Sequence, residues 1–525
     1  MLQPSMTTRR RLLVLFVCCL VGLCVPLGLG LSYGERLSTH EGFYSVDVAD
    51  AVEPAPGLRR PRRAVVVVFD GLGYEEAEGM RSLARLGEQG QCRRTDVGAI
   101  SMSRPVYAVL STGMEADRTG VRGNDDIRPL AAESVWEVAR EAGLEVTGVS
   151  ELTWWQELFP SGFDAFRQFD QSVDYFSEVP PGAVQLIHPL YIDEAGHESG
   201  AASAEYQEAV ARADRELEGF MKGVDLTRDV VIVTADHGHS LRGGHGGRQE
   251  RIAQVLTCYA GVGVRHDPAP GPLRATTIGP SLALLLGLRF PANMRAGDDD
   301  LDALWDIVDP AAFPPEYLAG RRRSVERFRA FNGEQLQRWL PASAGSWDRF
   351  HADRRLAQLW AAGPLLALLV LVLALHGDAH RRWARASGVM HGGLFGLLFV
   401  VVFYVAAYAL QVAINGSFDL SSIARRWKFI VYTLTLGLLW STGAALLHLR
   451  LRRSLDALLL DLAAVSLAGT LLCIAHPAGL GWRVGFPMPS PELLFFPYFA
   501  ALFLAVFNSV GLLVCGVAWW RSRRS

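Results

Sequence analysis

Val230-Val-Ile-Val-Thr-Ala-Asp-His-Gly-His239, followed by Gly243-Gly-His-Gly-Gly247, reads as a buried apolar strand ending in an Asp-His pair, with another histidine on a glycine-rich loop. Carboxylate and imidazole are donors that a divalent metal takes, and open α/β sheets place their ligands at the C-terminal ends of strands. In an extended backbone Asp236 and His237 point to opposite sides, so this dipeptide is expected to serve two adjacent ions. A structural Asp-His pair has the same local sequence. The partners elsewhere in the chain decide between the two.

Working outward, Glu53–Arg63 is a Pro- and Arg-rich linker, and Ala64–Phe69 is a valine-rich buried strand. Helical periodicity follows in Glu75–Leu86, Ala131–Ala142 and Ala202–Met221, with short apolar runs at Leu144–Val149, Ala183–Ile187, Val230–Thr234 and Ala253–Tyr259. Strands alternating with helices predict an α/β fold, a mostly parallel sheet with helices on both faces, over residues 60–297. Residues 298–355 are charged and helical in pattern, with Trp305, Phe328, Phe331 and Trp339 interspersed, and read as a helical connector.

Three further segments carry candidate chemistry. The first strand ends in Val68-Phe-Asp-Gly-Leu72, where Asp70 is a metal ligand or an ordinary Asp-Gly turn. In Ser101-Met-Ser-Arg-Pro-Val-Tyr107 a hydroxyl sits at a helix N-terminus, where free backbone N–H groups favour an anion or a serine merely caps. Asn124, in Gly120-Val-Arg-Gly-Asn124, offers an amide to a phosphoryl oxygen. In Tyr191-Ile-Asp-Glu-Ala-Gly-His-Glu-Ser-Gly200, Asp193 and His197 are expected to flank a glycine turn and converge on one ion, with His245 supplying another nitrogen. Glu194 and Glu198 read as solvated.

The chain has 525 residues and a net charge of -3, so nothing in its overall charge points to nucleic acid. Its apolar residues are unevenly spread. Leu12–Leu31 follows Arg9, Arg10 and Arg11, and five more runs follow: Leu356–His376, Val389–Ile414, Phe429–Leu449, Leu455–Ile474 and Leu493–Trp520. Each is about long enough to cross a hydrocarbon core of roughly 30 Å, so a signal anchor within 1–35 and a five-helix transmembrane domain over 356–520 are expected. A cleaved signal peptide is the other reading of the N-terminal run.

Basic clusters at Arg381–Arg385, Arg450–Arg453 and Arg521–Arg524 alternate across the expected spans and join Arg9–Arg11 on the cytoplasmic side, which exports the α/β domain. Arg425, Arg426 and Lys428 break that pattern. Asp456 and Asp461 in the fifth span suggest either transport or an interface position and a pair within the bundle. Cys92 and Cys258 lie outside the spans, where they either pair as a disulfide or stay as two isolated thiols.

Taken in order, Asp70, Ser103, Asp193, His197, Asp236, His237 and His245 resemble the metal-site set of the alkaline phosphatase superfamily. Its type I phosphodiesterase/nucleotide pyrophosphatase and glycolipid (GPI) ethanolamine-phosphate transferase members are the most similar. The resemblance covers Ala64 to Ala296 and rests on His188-Pro-Leu-Tyr-Ile-Asp-Glu-Ala-Gly-His197, the helix Glu205–Asp214, Ala235-Asp-His-Gly238, Gly244-His-Gly246 and the closing helix Ile278–Gly287.

It implies two divalent metal ions, taken as zinc. One would be held by Asp193, His197 and His245, the other by Asp70, Ser103, Asp236 and His237. It also implies Ser103 as nucleophile, forming a phospho-serine adduct, with Asn124 on the phosphoryl oxygens. Serine stands where many relatives have threonine, leaving Ser101 as a rival. His239 stands where relatives often have methionine, as a bystander or a competitor of His245. Tyr107 occupies the position where a sulfatase would need arginine, which disfavours sulfatase chemistry.

The resulting expectation is a membrane-anchored two-metal phosphotransferase or phosphodiesterase acting on a phosphate ester, with a lipid or glycolipid favoured because the spans keep the site near the bilayer. A nucleotide pyrophosphatase/phosphodiesterase is the enzymatic alternative. A transport or assembly membrane protein with an inert phosphatase-like domain is the alternative of another class. Low lysine with high arginine, alanine and leucine fits a high-GC bacterium, hence an inner-membrane protein with a periplasmic domain; a eukaryotic lumen is the other possibility. Topology reporters fused near Gly200 should be active only on the exported side, and near Ala384 only on the cytoplasmic side. Both on one side would overturn the six-span reading.

Overall fold

The computed structural model describes residues 60–339 apart from 99, 126, 170–173, 268–269, 293 and 295–297. Most of 12–28 and 504–520 and isolated positions between 409 and 470 are also described. The chain divides into two compact units, the larger of which contains every described residue from 60 to 339.

The larger unit is built on an eight-stranded sheet. In chain order its strands are β1 (Arg63–Phe69), β2 (Gly90–Asp96), β3 (Val146–Ser150), β4 (Ala165–Gln168), β5 (Val184–His188), β6 (Asp229–Ala235), β7 (Gln254–Gly261) and β8 (Leu273–Arg274). Their order across the sheet is β4-β3-β5-β1-β6-β7-β2-β8. Neighbouring pairs are parallel except those of β7, which runs against β6 and β2. The expected mostly parallel α/β sheet is therefore present.

β1 is central because its valines are buried on both faces, as a strand covered by helices on each side requires. It pairs with β5 through Val67↔Ile187 and with β6 through Phe69↔Ala235, so the three strands end side by side. At the opposite end Arg62 and Arg63 pair with the buried Asp229, at 2.6 and 3.0 Å.

β2 was not legible as a strand, because Gln91, Arg93 and Arg94 interrupt its apolar pattern. Its partner β7 sets Cys92 directly opposite Cys258, and the two are joined by a disulfide. The helix expected over Glu75–Leu86 is two helices, Tyr74–Glu78 and Arg81–Gln89, broken after Gly79, whose N–H turns back to the carbonyls of Glu76 and Ala77. Asp193 and His197 do not flank a turn. They lie on the helix Tyr191–Ser199, where a four-residue spacing puts both on one face.

The helices Asp298–Ile307 and Pro315–Trp339 follow the sheet domain. Leu304, Ile307, Tyr317, Val325 and Phe328 from them belong to its hydrophobic core, and the Gln91 amide donates to the carbonyl of Asp306 at 3.0 Å. The segment read as a connector thus supplies core side chains as far as Phe328.

In the smaller unit Leu15 and Cys19 are buried with Cys515. Ser466 Oγ donates to the Cys18 carbonyl at 2.9 Å and to Asn508 Oδ1 at 2.5 Å, and a Cβ on Gly22 would lie 2.6 Å from that Ser466 oxygen. Small residues and interhelical hydrogen bonds of this kind join helices where hydrophobic contrast cannot. Among the described residues no helix is long and apolar enough to cross a membrane. The spans expected between Leu356 and Ile474 lie almost wholly outside the described residues, as do Asp456 and Asp461.

Two glycine substitutions should act in opposite directions. Gly261 has φ +112°, and a Cβ there would lie 2.1 Å from the Asp229 carbonyl oxygen. Gly261→Ala should therefore cost about 2 kcal/mol or more. Gly219, within the helix Ala204–Met221, has open space, so Gly219→Ala should gain about 0.5–1 kcal/mol. Thermal unfolding midpoints of the purified chain, moving down and up respectively, check both.

Candidate metal centre

Asp70 follows β1, Asp236 and His237 follow β6, and Asp193 follows β5 by way of the helix Tyr191–Ser199. Three adjacent strands therefore deliver three carboxylates to the C-terminal edge of the sheet, where α/β folds form their sites. Asp70 and Asp236 are buried to 1% and 0% exposure. Like charges placed so close without water demand a cation or a proton.

Their oxygens are differentiated. Tyr107 donates its hydroxyl to Asp70 Oδ2, while Asp70 Oδ1 accepts no hydrogen bond among the described residues and lies 3.5 Å from His237 Nε2. Asp236 Oδ1 accepts from the N–H groups of Gly71 at 3.1 Å and His237 at 2.9 Å. Its Oδ2 accepts none and lies 3.3 Å from His237 Nε2. Each carboxylate thus keeps one oxygen anchored and one bare, both bare oxygens facing the same imidazole nitrogen. A divalent ion fits this arrangement, since buried acceptors without a donor are otherwise costly. Asp236 and His237 converge rather than pointing apart, because β6 ends at Ala235 and the strand's alternation ends with it.

Beside this group lie Asp193, His197 and His245. His197 Nε2 is 3.3 Å from Asp193 Oδ2 and 3.1 Å from His245 Nε2, which in turn is 3.8 Å from Asp193 Oδ1. His237 stacks on His245 with ring centroids 3.7 Å apart and links the two groups. The Nδ1 atoms of His245 and His237 face the carbonyls of Ser101 at 2.9 Å and Gly238 at 3.2 Å, which orients both Nε2 atoms inward. Such outer hydrogen bonds are how metal-binding imidazoles are aimed.

Electrostatics agree with that role. Burial lowers the His237 pKa to about 4, and burial together with His237 holds His245 well below the ordinary histidine range, so both rings are neutral donors at neutral pH. Burial and the charges of Asp70 and Asp193 push Asp236 well above the usual carboxylate range. Burial opposes ionisation of Asp193 too, yet hydrogen bonds from His197 and His239 outweigh it and hold that carboxyl well below its usual value.

Ser103 is the first residue of the helix Ser103–Thr112, and its Oγ lies 3.3 Å from His237 Nε2. Ser101 is occupied elsewhere: its hydroxyl donates to the Gly247 carbonyl at 2.8 Å and accepts from the Gly246 N–H at 3.0 Å, tying down the loop that carries His245. Asn124 Oδ1 accepts from the Arg104 N–H at 3.1 Å, which places this side chain beside the start of the Ser103 helix.

Sequence reading missed an outer shell. Tyr107 OH also meets His188 Nε2 at 2.9 Å, His188 Nδ1 meets Ser150 Oγ at 2.7 Å, and Tyr107 stacks on Trp155 at 4.3 Å. Burial and the neighbouring Asp70 charge raise the Tyr107 pKa well above its ordinary value and keep the hydroxyl a donor. The four-residue spacing from Ser103 to Tyr107 along one helix was the available signal. His239 also lies within the cluster, its Nε2 2.7 Å from Asp193 Oδ1.

Residues 180–241 match the type I phosphodiesterase/nucleotide pyrophosphatase family. The match contains β5, the Asp193/His197 helix and the Asp236/His237 strand end. The chain is also similar to the human (Homo sapiens) GPI ethanolamine phosphate transferase 3, catalytic subunit, at 23% identity over 507 residues, which is 84% of this chain and 45% of that protein. It spans less than half the length of the curated relatives it matches.

Among solved structures, murine ectonucleotide pyrophosphatase/phosphodiesterase 5 superposes with a TM-score of 0.39 at 14% identity, over 47% of this chain and 100% of that one. The 2-O GAG sulfatase BT1596 does so with a TM-score of 0.37 at 16% identity, over 45% and 72%. The relatives matched by sequence are enzymes of phosphate-ester chemistry.

The buried carboxylates generate a prediction with a defined sign. Without metal at neutral pH, an Asp236 forced to ionise lowers stability, because its folded pKa lies above its unfolded one. Metal-depleted Asp236→Asn should therefore melt above metal-depleted wild type, while added zinc should raise the variant's melting point far less. Scanning fluorimetry with and without chelator measures both; a lower melting point for the metal-depleted variant would contradict this account.

Proposed function

We propose that this chain is a membrane-anchored two-metal phosphotransferase or phosphodiesterase that cleaves a phosphate ester through Ser103. The observation that carries the reading is the position of Ser103 Oγ. It stands 3.3 Å from His237 Nε2, the nitrogen that also faces the bare oxygens of Asp70 and Asp236.

Asp193, His197 and His245 would hold one ion, and Asp70, Ser103, Asp236 and His237 the other, with zinc suited to this Asp/His mixture. Held there, two such ions would supply positive charge to the oxygens of an in-line displacement and would favour ionisation of the serine hydroxyl. The chain's own residues do the rest. Ser103, at the start of a helix, presents its oxygen where backbone N–H groups favour a phosphoryl anion. Asn124, whose Oδ1 accepts from the Arg104 N–H next to Ser103, would offer its amide N–H to a phosphoryl oxygen. Tyr107 holds Asp70 from behind. Attack of Ser103 Oγ on phosphorus expels the leaving alcohol, and water or a second hydroxyl then releases the phosphoryl group from serine.

A lipid or glycolipid substrate is favoured by the transferase relative's name and by the apolar runs flanking the domain, which would hold the site at a bilayer surface. Residues 1–35 and 356–520 would be the anchor and membrane domain around an exported catalytic domain that begins near residue 60 and whose core extends into the 298–355 segment as far as Phe328. A bacterial inner membrane, with the domain in the periplasm, fits the composition. The family match keeps nucleotide pyrophosphatase activity as the second reading.

Ser103→Ala tests the proposal. Met102 holds the cap position and no side chain caps this helix, so a serine that only starts it would cost little stability and leave turnover intact. As nucleophile, its loss should lower activity by orders of magnitude at near-normal melting temperature and metal content. Ser101→Ala should instead weaken metal retention, because Ser101 holds the His245 loop. Phosphorus trapped from a slow substrate should reside on the Ser103 peptide; full activity of the Ser103→Ala protein would end the assignment.

A further inference from the structure

We infer that His239 is a further ligand of the ion held by Asp193 and His197, an inference that rests on the two-metal reading. His239 has no solvent exposure, and its Nε2 lies 2.7 Å from Asp193 Oδ1. Its ring centroid is 5.0 Å from that of His197, 5.2 Å from that of His245 and 5.7 Å from that of His237, so four imidazoles surround one carboxylate. One donor atom each from Asp193, His197 and His239 lie within 4.8 Å of one another, close enough to share an ion.

The fold makes room for this ring. Gly196 stands between Asp193 and His197 on their helix, and a Cβ there would fall 2.4 Å from His239 Cδ2 and 2.6 Å from its Nε2. Any other residue would drive the imidazole out of the cluster.

A merely structural buried histidine is normally hydrogen-bonded at both nitrogens. His188 is such a case, held by Ser150 at one nitrogen and Tyr107 at the other. His239 differs in that its Nε2 faces Asp193 Oδ1, inside the candidate ligand group itself. With His239 included, the donor set becomes one carboxylate and three imidazoles, which suits zinc, cobalt or another borderline ion.

Cobalt(II) loading of the purified full-length chain tests this without reference to turnover. Wild type should bind two cobalt ions. His239→Ala and His239→Gln should each weaken binding of one of them by more than the roughly 10–100-fold that losing an outer hydrogen-bond partner of a ligand costs, and the visible absorption of the cobalt protein should change. Glutamine retains a side-chain N–H for Asp193, so rescue by His239→Gln would show a positioning hydrogen bond and overturn the inference. Gly196→Ala, which displaces the ring without removing it, should reproduce the loss and decides the matter should His239→Ala fail to fold. Wild-type cobalt binding and spectrum in His239→Gln would overturn the inference alone; no cobalt bound by wild type would overturn the two-metal reading as well.

Discussion

Asp70, Asp193 and Asp236 are brought together at one edge of a parallel sheet, two of them fully buried, and the architecture of the domain follows from having to hold them there. Carboxylates in a low-dielectric setting repel one another and lose their water, a cost of several kcal/mol per charge unless something positive or protic compensates. The local hydrogen bonds compensate only half of each group. Gly71 and His237 N–H groups serve one oxygen of Asp236, and Tyr107 serves one oxygen of Asp70, while the other oxygens stay bare. An arrangement so one-sided is a poor way to stabilise a domain and a good way to hold divalent ions.

Rigidity around the cluster comes from apolar packing. Tyr107 is clamped against Trp155, which meets Trp136 edge-on at 6.1 Å, and both belong to the main core. The Ser103 helix is therefore anchored by its buried face while its first residue projects toward the metal ligands. Ser101 and the glycine loop hold His245 in a similar way. Hydrogen bonds between the Ser101 hydroxyl and the loop's backbone, and one between His245 Nδ1 and the Ser101 carbonyl, lock the ring. Positions of reacting groups depend on such supports as much as on the groups themselves.

The sheet shows how local pattern and tertiary context divide the work. β1, β5 and β6 were legible because strands buried on both faces are continuous runs of branched apolar residues. β2 was not, since Arg93 and Arg94 suit a strand only once β7 and β8 lie beside it. The Asp193–His197 segment looked like a turn because of Gly196. It is helical, and the glycine is there because His239, a neighbour more than forty residues away, occupies the space a side chain would need.

The sequence by itself determined the chemical inventory: which carboxylates, imidazoles and hydroxyls end up at strand ends and a helix start, since those positions follow from short-range periodicity and turn chemistry. Tertiary structure alone decided how the members pair. That Ser103 rather than Ser101 faces His237, that Tyr107 and His188 stand behind Asp70, and that His239 meets Asp193 all depend on contacts between residues tens to more than a hundred positions apart. Periodicity reports which face of an element a side chain occupies. Only the packing of that face against another element sets the ångström distances on which metal binding and phosphoryl transfer depend.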